Sequence, residues 1–191
     1  MAMGNFDGLH LGHAGVIKRA AEIANSRGVP LGIVTFEPHP VTVLRPELKL
    51  RRLATFRIKV RLLKEFGVEI LYMLPFSKEF SQLSASQFIT GVLVRKLNVS
   101  EVVIGHDYRF GKGRRGDHTF LLKQGKSSGF GVTEVAGIGD TGKIYSSTRV
   151  RELIGAGTFN QATAVLGHMW EVEGRVRHGD ARGRLLGYPT A

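Results

Sequence analysis

Short apolar runs alternate with stretches of helical periodicity along most of this chain, and that alternation confines it to a sheet covered by helices. Strand-like runs occupy residues 30–36, 68–74, 101–105 and 130–136, and helical periodicity reads at 13–27, 54–66, 84–97 and 117–126. A β-α-β-α order of this kind predicts an α/β domain, a parallel sheet with helices on both faces, with ligands collected at the carboxyl ends of the strands. Two shorter helices are expected at 147–154 and 158–166. After His168 the texture changes: MWEVEGRVRH alternates like a half-buried strand and then breaks into GDARGRLLGYPTA. This predicts one domain over 1–167 and the start of another over 168–191. The longest apolar runs, LGIVTF and EVVIGH, fall far short of the ~20 residues that a spanning helix needs.

The 27 basic residues outnumber the 16 acidic ones, and the net charge of +11 selects anions as partners: nucleic acid, acidic lipid or phosphorylated small molecules. The densest basic stretch, Lys49 to Lys64, interleaves Arg57, Lys59, Arg61 and Lys64 with Ile58, Val60, Leu62 and Leu63, the pattern of a helix whose cations face solvent. A second cluster, Arg109, Lys112, Arg114 and Arg115, sits among Gly105, Gly111, Gly113 and Gly116, where forked cations on a flexible backbone can wrap phosphate oxygens. The chain has no cysteine, which removes disulfides, thiolate metal sites and cysteine nucleophiles together. Residues 1–15 carry no basic segment followed by an apolar core, so no signal peptide is expected.

The segment GNFDGLHLGH, residues 4–13, runs directly into the first helix. Gly4, Gly8 and Gly12 allow a sharp turn and close approach to a ligand. A helix start favours a bound anion, and His10 and His13, three residues apart, can point the same way there. Two imidazoles at a helix N-terminus suit charge growing on a phosphate; a glycine turn with structural histidines and a metal site are the competing readings. The metal reading lacks the spacing and glutamate of a zinc hydrolase helix.

GNFDGLHLGH resembles the signature of the nucleotidyltransferase superfamily. With TFEPHP (35–40), GHDYRFGKGRRGD (105–117) and YSSTRVRELI (145–154), it resembles the amino-terminal module of prokaryotic bifunctional FAD synthetases, which join riboflavin kinase to FMN adenylyltransferase. The resemblance extends from Gly4 to the end of the chain. It implies a Rossmann-like nucleotidyltransferase fold followed by the first strand of a β-barrel, and a cytoplasmic transferase that moves AMP from MgATP to FMN, releasing pyrophosphate and forming FAD. It implies that His10 and His13 stabilise the transition state, and that Gly4, Phe6, Gly12, Ser147, Thr148, Arg149 and Arg151 meet the nucleotide. Ser147 and Thr148 are expected to cap a helix while Arg149 or Arg151 reaches the outer phosphates. Pro38, His39 and Pro40, in a rigid extended turn, would wall the flavin together with Asp107, Tyr108 and Phe110. In related sequences the Tyr108 position is commonly Phe, and some have Asn in place of Asp107.

Magnesium is expected mainly on ATP oxygens, with Thr190 a contact in the kinase module of a longer chain, where riboflavin would be a further substrate. Related chains place a hydrophobic strand before GNFDG, whereas only Met1, Ala2 and Met3 stand here, fewer than the about five residues of an ordinary strand. The alternatives are a nucleotidyltransferase with another phosphorylated acceptor, or a non-catalytic basic module that binds nucleic acid. Neither nucleic acid nor a membrane is expected as a partner.

Overall fold

The computed structural model describes residues 1–175, 182–185 and 187. Its centre is a five-stranded, all-parallel sheet in the order β3-β2-β1-β4-β5, formed by β1 (Ala2–Met3), β2 (Gly32–Glu37), β3 (Ile70–Pro75), β4 (Glu101–Gly105) and β5 (Gly131–Val135). The sequence places all four longer strands to within two residues. It fails on the first. Three residues do supply a strand: Ala2 pairs with Ile33 on one side and Val103 on the other, and Met3 with Val34. The ladder is extended by Met1, whose amine donates to the Glu101 carbonyl at 2.7 Å, and by Gly4 N–H donating to Val34 O at 3.1 Å. Flanked on both sides, a strand this short leaves no edge to satisfy.

Helix α1 (Leu11–Arg27) leaves β1 and closes at Gly28, in the left-handed region at φ 62°. It places Val16, Ile17, Ala20 and Ala24 against Ala2, Ile33 and Val103, and α3 (Phe56–Glu65) adds Ile58, Leu62 and Leu63 to the same core. Between them lie α2 (Pro40–Leu44) and a single 3₁₀ turn. The opposite face packs Met3, Val34, Val102 and Ile104 against Phe88, Ile89, Leu93 and Leu121. Strands covered on both faces read as unbroken apolar runs, which is why β2 and β4 are legible in the sequence.

This second face is built by α4 (Lys78–Ser81), α5 (Ala85–Phe88) and α6 (His118–Ser128). The single helix expected at 84–97 is instead α5, opened by a Ser84–Gln87 capping box and running into a π-helical turn, Ile89–Val94, whose bonds include Arg95 N–H to Thr90 O. Four β-branched residues, Gly91 and Leu93 fill those six positions, a composition of low α-helical propensity. A two-stranded ribbon, β6 (Gly139–Asp140) and β7 (Lys143–Ile144), precedes α7 (Ser147–Gly155) and α8 (Phe159–Leu166). These two helices bring Val150, Val165 and Leu166 onto Leu53.

Residues 169–175 form no strand, which corrects the expectation for that segment. They lie as a strap along the loop before α3 and along α3 itself. The Trp170 indole N–H donates to Leu53 O at 2.9 Å and stacks on Phe159, Glu171 pairs with Arg61, and Glu173 accepts from the Thr55 hydroxyl at 2.8 Å and pairs with Arg57 at 3.1 Å. Arg57, Arg61 and Thr55 hold the carboxylates of this segment where alternation alone predicts a ladder. The rest of the expected strand, residues 176–178, and Thr190 lie outside the described residues, and Arg182–Leu185 forms a short helix, α9.

Candidate active site

In an open parallel sheet the crevice lies where strand order reverses, here between β1 and β4, at the carboxyl ends of the strands. The loop Gly4–His10 leaves β1 at that point. It carries two non-glycine residues in the left-handed region, Phe6 at φ 47° and Leu9 at φ 43°, with Gly8 at φ 80°. Such positions cost on the order of 1–3 kcal/mol each and persist only where surrounding contacts fix them. The contacts are specific. Asp7, 2% exposed, accepts from Leu53 N–H at 3.1 Å and Ala54 N–H at 3.3 Å and pairs with Arg151. His168 Nε2 lies 3.0 Å from Gly8 O, and Ser147 Oγ donates to Asp7 O at 2.9 Å.

His10 caps α1: its Nδ1 accepts the His13 backbone N–H at 3.3 Å. In a neutral imidazole that leaves the proton on Nε2, a donor. The His10 and His13 rings stack with centroids 3.7 Å apart, and Phe6 meets His13 edge-on at 5.2 Å. Burial pushes His10 down to about 4, partly opposed by Asp107 and Asp7. His13 is held well below the ordinary range by burial first and then by His10 and Lys59, and its Nδ1 is buried without a hydrogen-bond partner among the described residues. Both rings are therefore neutral at pH 7 and bring hydrogen-bonding nitrogens rather than fixed charges to the helix start. Gly12 packs tightly beside them: a Cβ there would stand 3.0 Å from His10 Nδ1 and 3.2 Å from the Tyr145 carbonyl, so either neighbour would have to give by a few tenths of an ångström. A Cβ on Gly4 would stand 3.1 Å from the Phe6 ring, a similarly tight fit.

The loop after β2 bears Pro38, His39 and Pro40 on the same edge of the sheet. His39 is buried, caps α2 by accepting Val41 N–H at 3.2 Å, and is lowered to about 4, chiefly by burial. Pro40 opens that helix, so the extended turn expected over both prolines ends at His39. After β4 come Asp107, exposed, and Tyr108, whose hydroxyl is pushed up by burial. Phe110 is 6% exposed, packs on Phe88 with centroids 5.5 Å apart and stacks on Tyr108 at 6.1 Å. Its ring belongs to the core and backs Tyr108. Arg109, Lys112, Arg114 and Arg115 are exposed, the last three on and after a 3₁₀ turn that follows Gly111.

The cap of α7 is Ser146, which accepts Arg149 N–H at 3.2 Å; Ser147 and Thr148 stand inside the helix, correcting their expected capping role. All three hydroxyls of YSST suit a cap, and the chain settles the choice by giving Ser147 to the Asp7 carbonyl. Arg149 reaches back to Asp140 at 2.6 Å and lies 5.7 Å over the Tyr145 ring. Arg151 is turned inward, to Asp7 and to Arg51 O at 2.8 Å.

Sequence reasoning misses four residues here. Asp7 stands inside the quoted signature, and its burial is visible only once Leu53, Ala54 and Arg151 surround it. The Arg52–Glu37 pair, doubly hydrogen-bonded at 2.5 and 2.8 Å, lies at the end of β2. Lys59, read as part of a solvated face, is 1% exposed: Nζ donates to Asn5 O at 2.8 Å and to Thr35 Oγ1 at 3.3 Å.

Residues 1–149 match the family model described as FAD synthetase. The chain belongs to the FAD synthetase family. Residues 166–191 match the riboflavin kinase family model. Among FAD synthetase relatives, the bifunctional riboflavin kinase/FMN adenylyltransferase of Escherichia coli (strain K12) is 37% identical over 191 residues, covering 100% of this chain and 61% of that protein. The protein of the same name from Listeria monocytogenes is 40% identical over 192 residues, covering 100% and 60%. A solved structure entitled "Crystal Structure of Macrolide-efflux Protein from Streptococcus pneumoniae" superposes with a TM-score of 0.84 at 33% identity, covering 98% of this chain and 61% of that one. The chain thus spans about three fifths of the length of these relatives. No helix among the described residues is long and apolar enough to cross a membrane.

Proposed function

We propose that this chain transfers AMP from MgATP to FMN: an FMN phosphate oxygen bonds to the α-phosphorus, the α–β phosphoanhydride bond breaks, and pyrophosphate leaves with the displaced electron pair. The observation that carries this reading is the stacked neutral pair His10–His13 on the first turn of α1, at the switch point of the sheet. Phosphoryl-type transfers depend on positioning and on neutralising developing charge. An Nε2–H donor held by its own helix cap, together with the unpaired N–H groups at the helix start, supplies both.

The geometry favours Arg149 over Arg151 as the arm for the outer phosphates. The Asp140 partner of Arg149 is 40% exposed, so exchanging it for a phosphate costs little. Asp7 is buried, and taking Arg151 from it would strand a charge. The flavin would lie between His39 and Tyr108, with Pro38, Pro40 and Asp107 at its edge. Gly4, Phe6 and Gly12 shape the floor under the nucleotide. Magnesium enters as part of the MgATP substrate.

The basic residues of α3 favour a small-molecule partner over nucleic acid, because Arg57 and Arg61 are paired with Glu173 and Glu171 instead of forming a stripe. The cytoplasm is the proposed compartment, in keeping with ATP as the donor. The domain division is proposed at residue 167, and riboflavin phosphorylation for a longer chain that continues the kinase match. The test is chromatography of FMN and MgATP incubated with the protein: FAD and pyrophosphate are expected in equal amounts, and a folded protein giving no FAD above the enzyme-free control overturns the reading.

A further inference from the structure

Charges beneath the signature loop do not cancel. Arg52 is taken by Glu37 and Arg151 by Asp7, each pair close to neutral. Lys59 is left over: among the described residues no carboxylate lies within ion-pair distance of its buried ammonium, which is held by neutral oxygens alone. A lysine that served packing only would be cheaper as methionine or leucine, since an ammonium taken out of water loses several kcal/mol of solvation, on the order of the whole gain from burying its stem. The geometry connects it to the site. Nζ holds the Asn5 carbonyl, Thr35 Oγ1 donates to the same carbonyl at 3.2 Å, and the next residue is Phe6, in its left-handed conformation against the His13 ring.

We propose that Lys59 is a positioning residue of the histidine site: its buried ammonium fixes the Asn5 carbonyl, and through it the Phe6–His13 contact, and sets an uncompensated positive charge beneath the reacting phosphates. This rests on the adenylyl-transfer reading for its rate effects. It stands without that reading for its effect on the histidines. A fixed charge in a water-poor site acts over several ångströms, attracting anions above the loop and disfavouring protonation of the rings beside it. Lys59 accordingly lowers both His13 and His39. The groups facing Lys59 are Arg52 before α3, Asp7 after β1, Glu37 at the end of β2, His13 on α1 and His39 at the cap of α2; burial and Arg52 bring its own ammonium down to about 8.

The test compares the parent protein with Lys59→Met, which keeps the stem and removes the charge. In Lys59→Met, kcat for FAD formation should fall about tenfold or more while KM for FMN and ATP changes less, and the NMR titration midpoints of His13 and His39 should move upward. An unchanged kcat in an active parent, or unmoved histidine midpoints, overturns the proposal. If the parent forms no FAD, the adenylyl-transfer reading fails on its own and the histidine midpoints still judge Lys59. If Lys59→Met does not fold, Thr35→Val removes only the hydroxyl that Lys59 and Asn5 share; a loss of about threefold in kcat at unchanged KM supports the clamp, and parental kcat overturns it.

Discussion

Asp7→Asn separates charge from shape at the most buried carboxylate of the site. The parent oxygens accept two backbone N–H groups and a guanidinium at 2% exposure. Asparagine keeps one acceptor and turns an amide N–H₂ toward either Leu53 and Ala54 or Arg151, each of which is itself a donor. Breaking a fully buried pair from one side costs about 3–5 kcal/mol, and the 22% exposure of the Arg151 side chain puts this case at about 3 kcal/mol. For a chain of 191 residues that loss lowers the melting temperature by about 6–12 °C. Calorimetry or thermal circular dichroism reads it directly. The double variant Asp7→Asn/Arg151→Met removes the stranded cation, so it should lose less than the two single variants together, by about 1 kcal/mol or more. A melting temperature within about 2 °C of the parent, or strict additivity in the double variant, refutes the view that this pair holds the loop.

His10→Ala and His13→Ala should each lower kcat for FAD formation by about 10²–10³ while leaving KM nearly unchanged, and His10→Asn should restore the helix cap without restoring the rate. Steady-state kinetics beside circular dichroism checks both, and full kcat in either alanine variant assigns the rings a structural role alone. Arg149→Ala should raise KM for ATP several-fold with little loss of stability, since its partner Asp140 is on the surface; equal KM values for variant and parent count against the phosphate arm. Stability should fall on acidification from pH 6.5 towards about 4: the unfolded chain protonates its histidines near 6.5, whereas folded His10 and His39 resist until about 4, so the unfolded state gains protons throughout that window. Melting temperatures that stay flat from pH 6.5 to about 4 would contradict the burial of neutral rings.

The alternation of strands and helices is legible because a doubly covered parallel sheet writes its buried strands as continuous apolar runs, as LGIVTF does. The histidine pair is legible too, since spacing and a helix start are local facts. Lys59 is not: periodicity assigns a lysine among arginines to solvent, and the acceptors that overrule it lie 54 and 24 residues away in the chain. Asp7 hides for the same reason, its partners being 46 and 144 residues distant. The two-residue β1 defeats a length rule because its neighbours supply on both sides the hydrogen bonds that an isolated strand of that length lacks. The strap over 169–175 alternates correctly for a strand, but its acidic residues meet α3 cations that no pattern within the segment records.

The cap made by His10 has a consequence for time as well as for shape. An ordinary surface imidazole turns about χ1 and χ2 on the nanosecond scale and exchanges its two tautomers through water. Here one nitrogen is engaged by the helix and the ring is stacked on its neighbour, so reorientation requires uncapping α1 and parting the stack together. The ring surrenders its rotational entropy when the protein folds, before any ligand arrives. Under the proposed reaction a phosphate would meet a donor already aimed and already in the right tautomer, and no turnover would wait for a correctly turned imidazole.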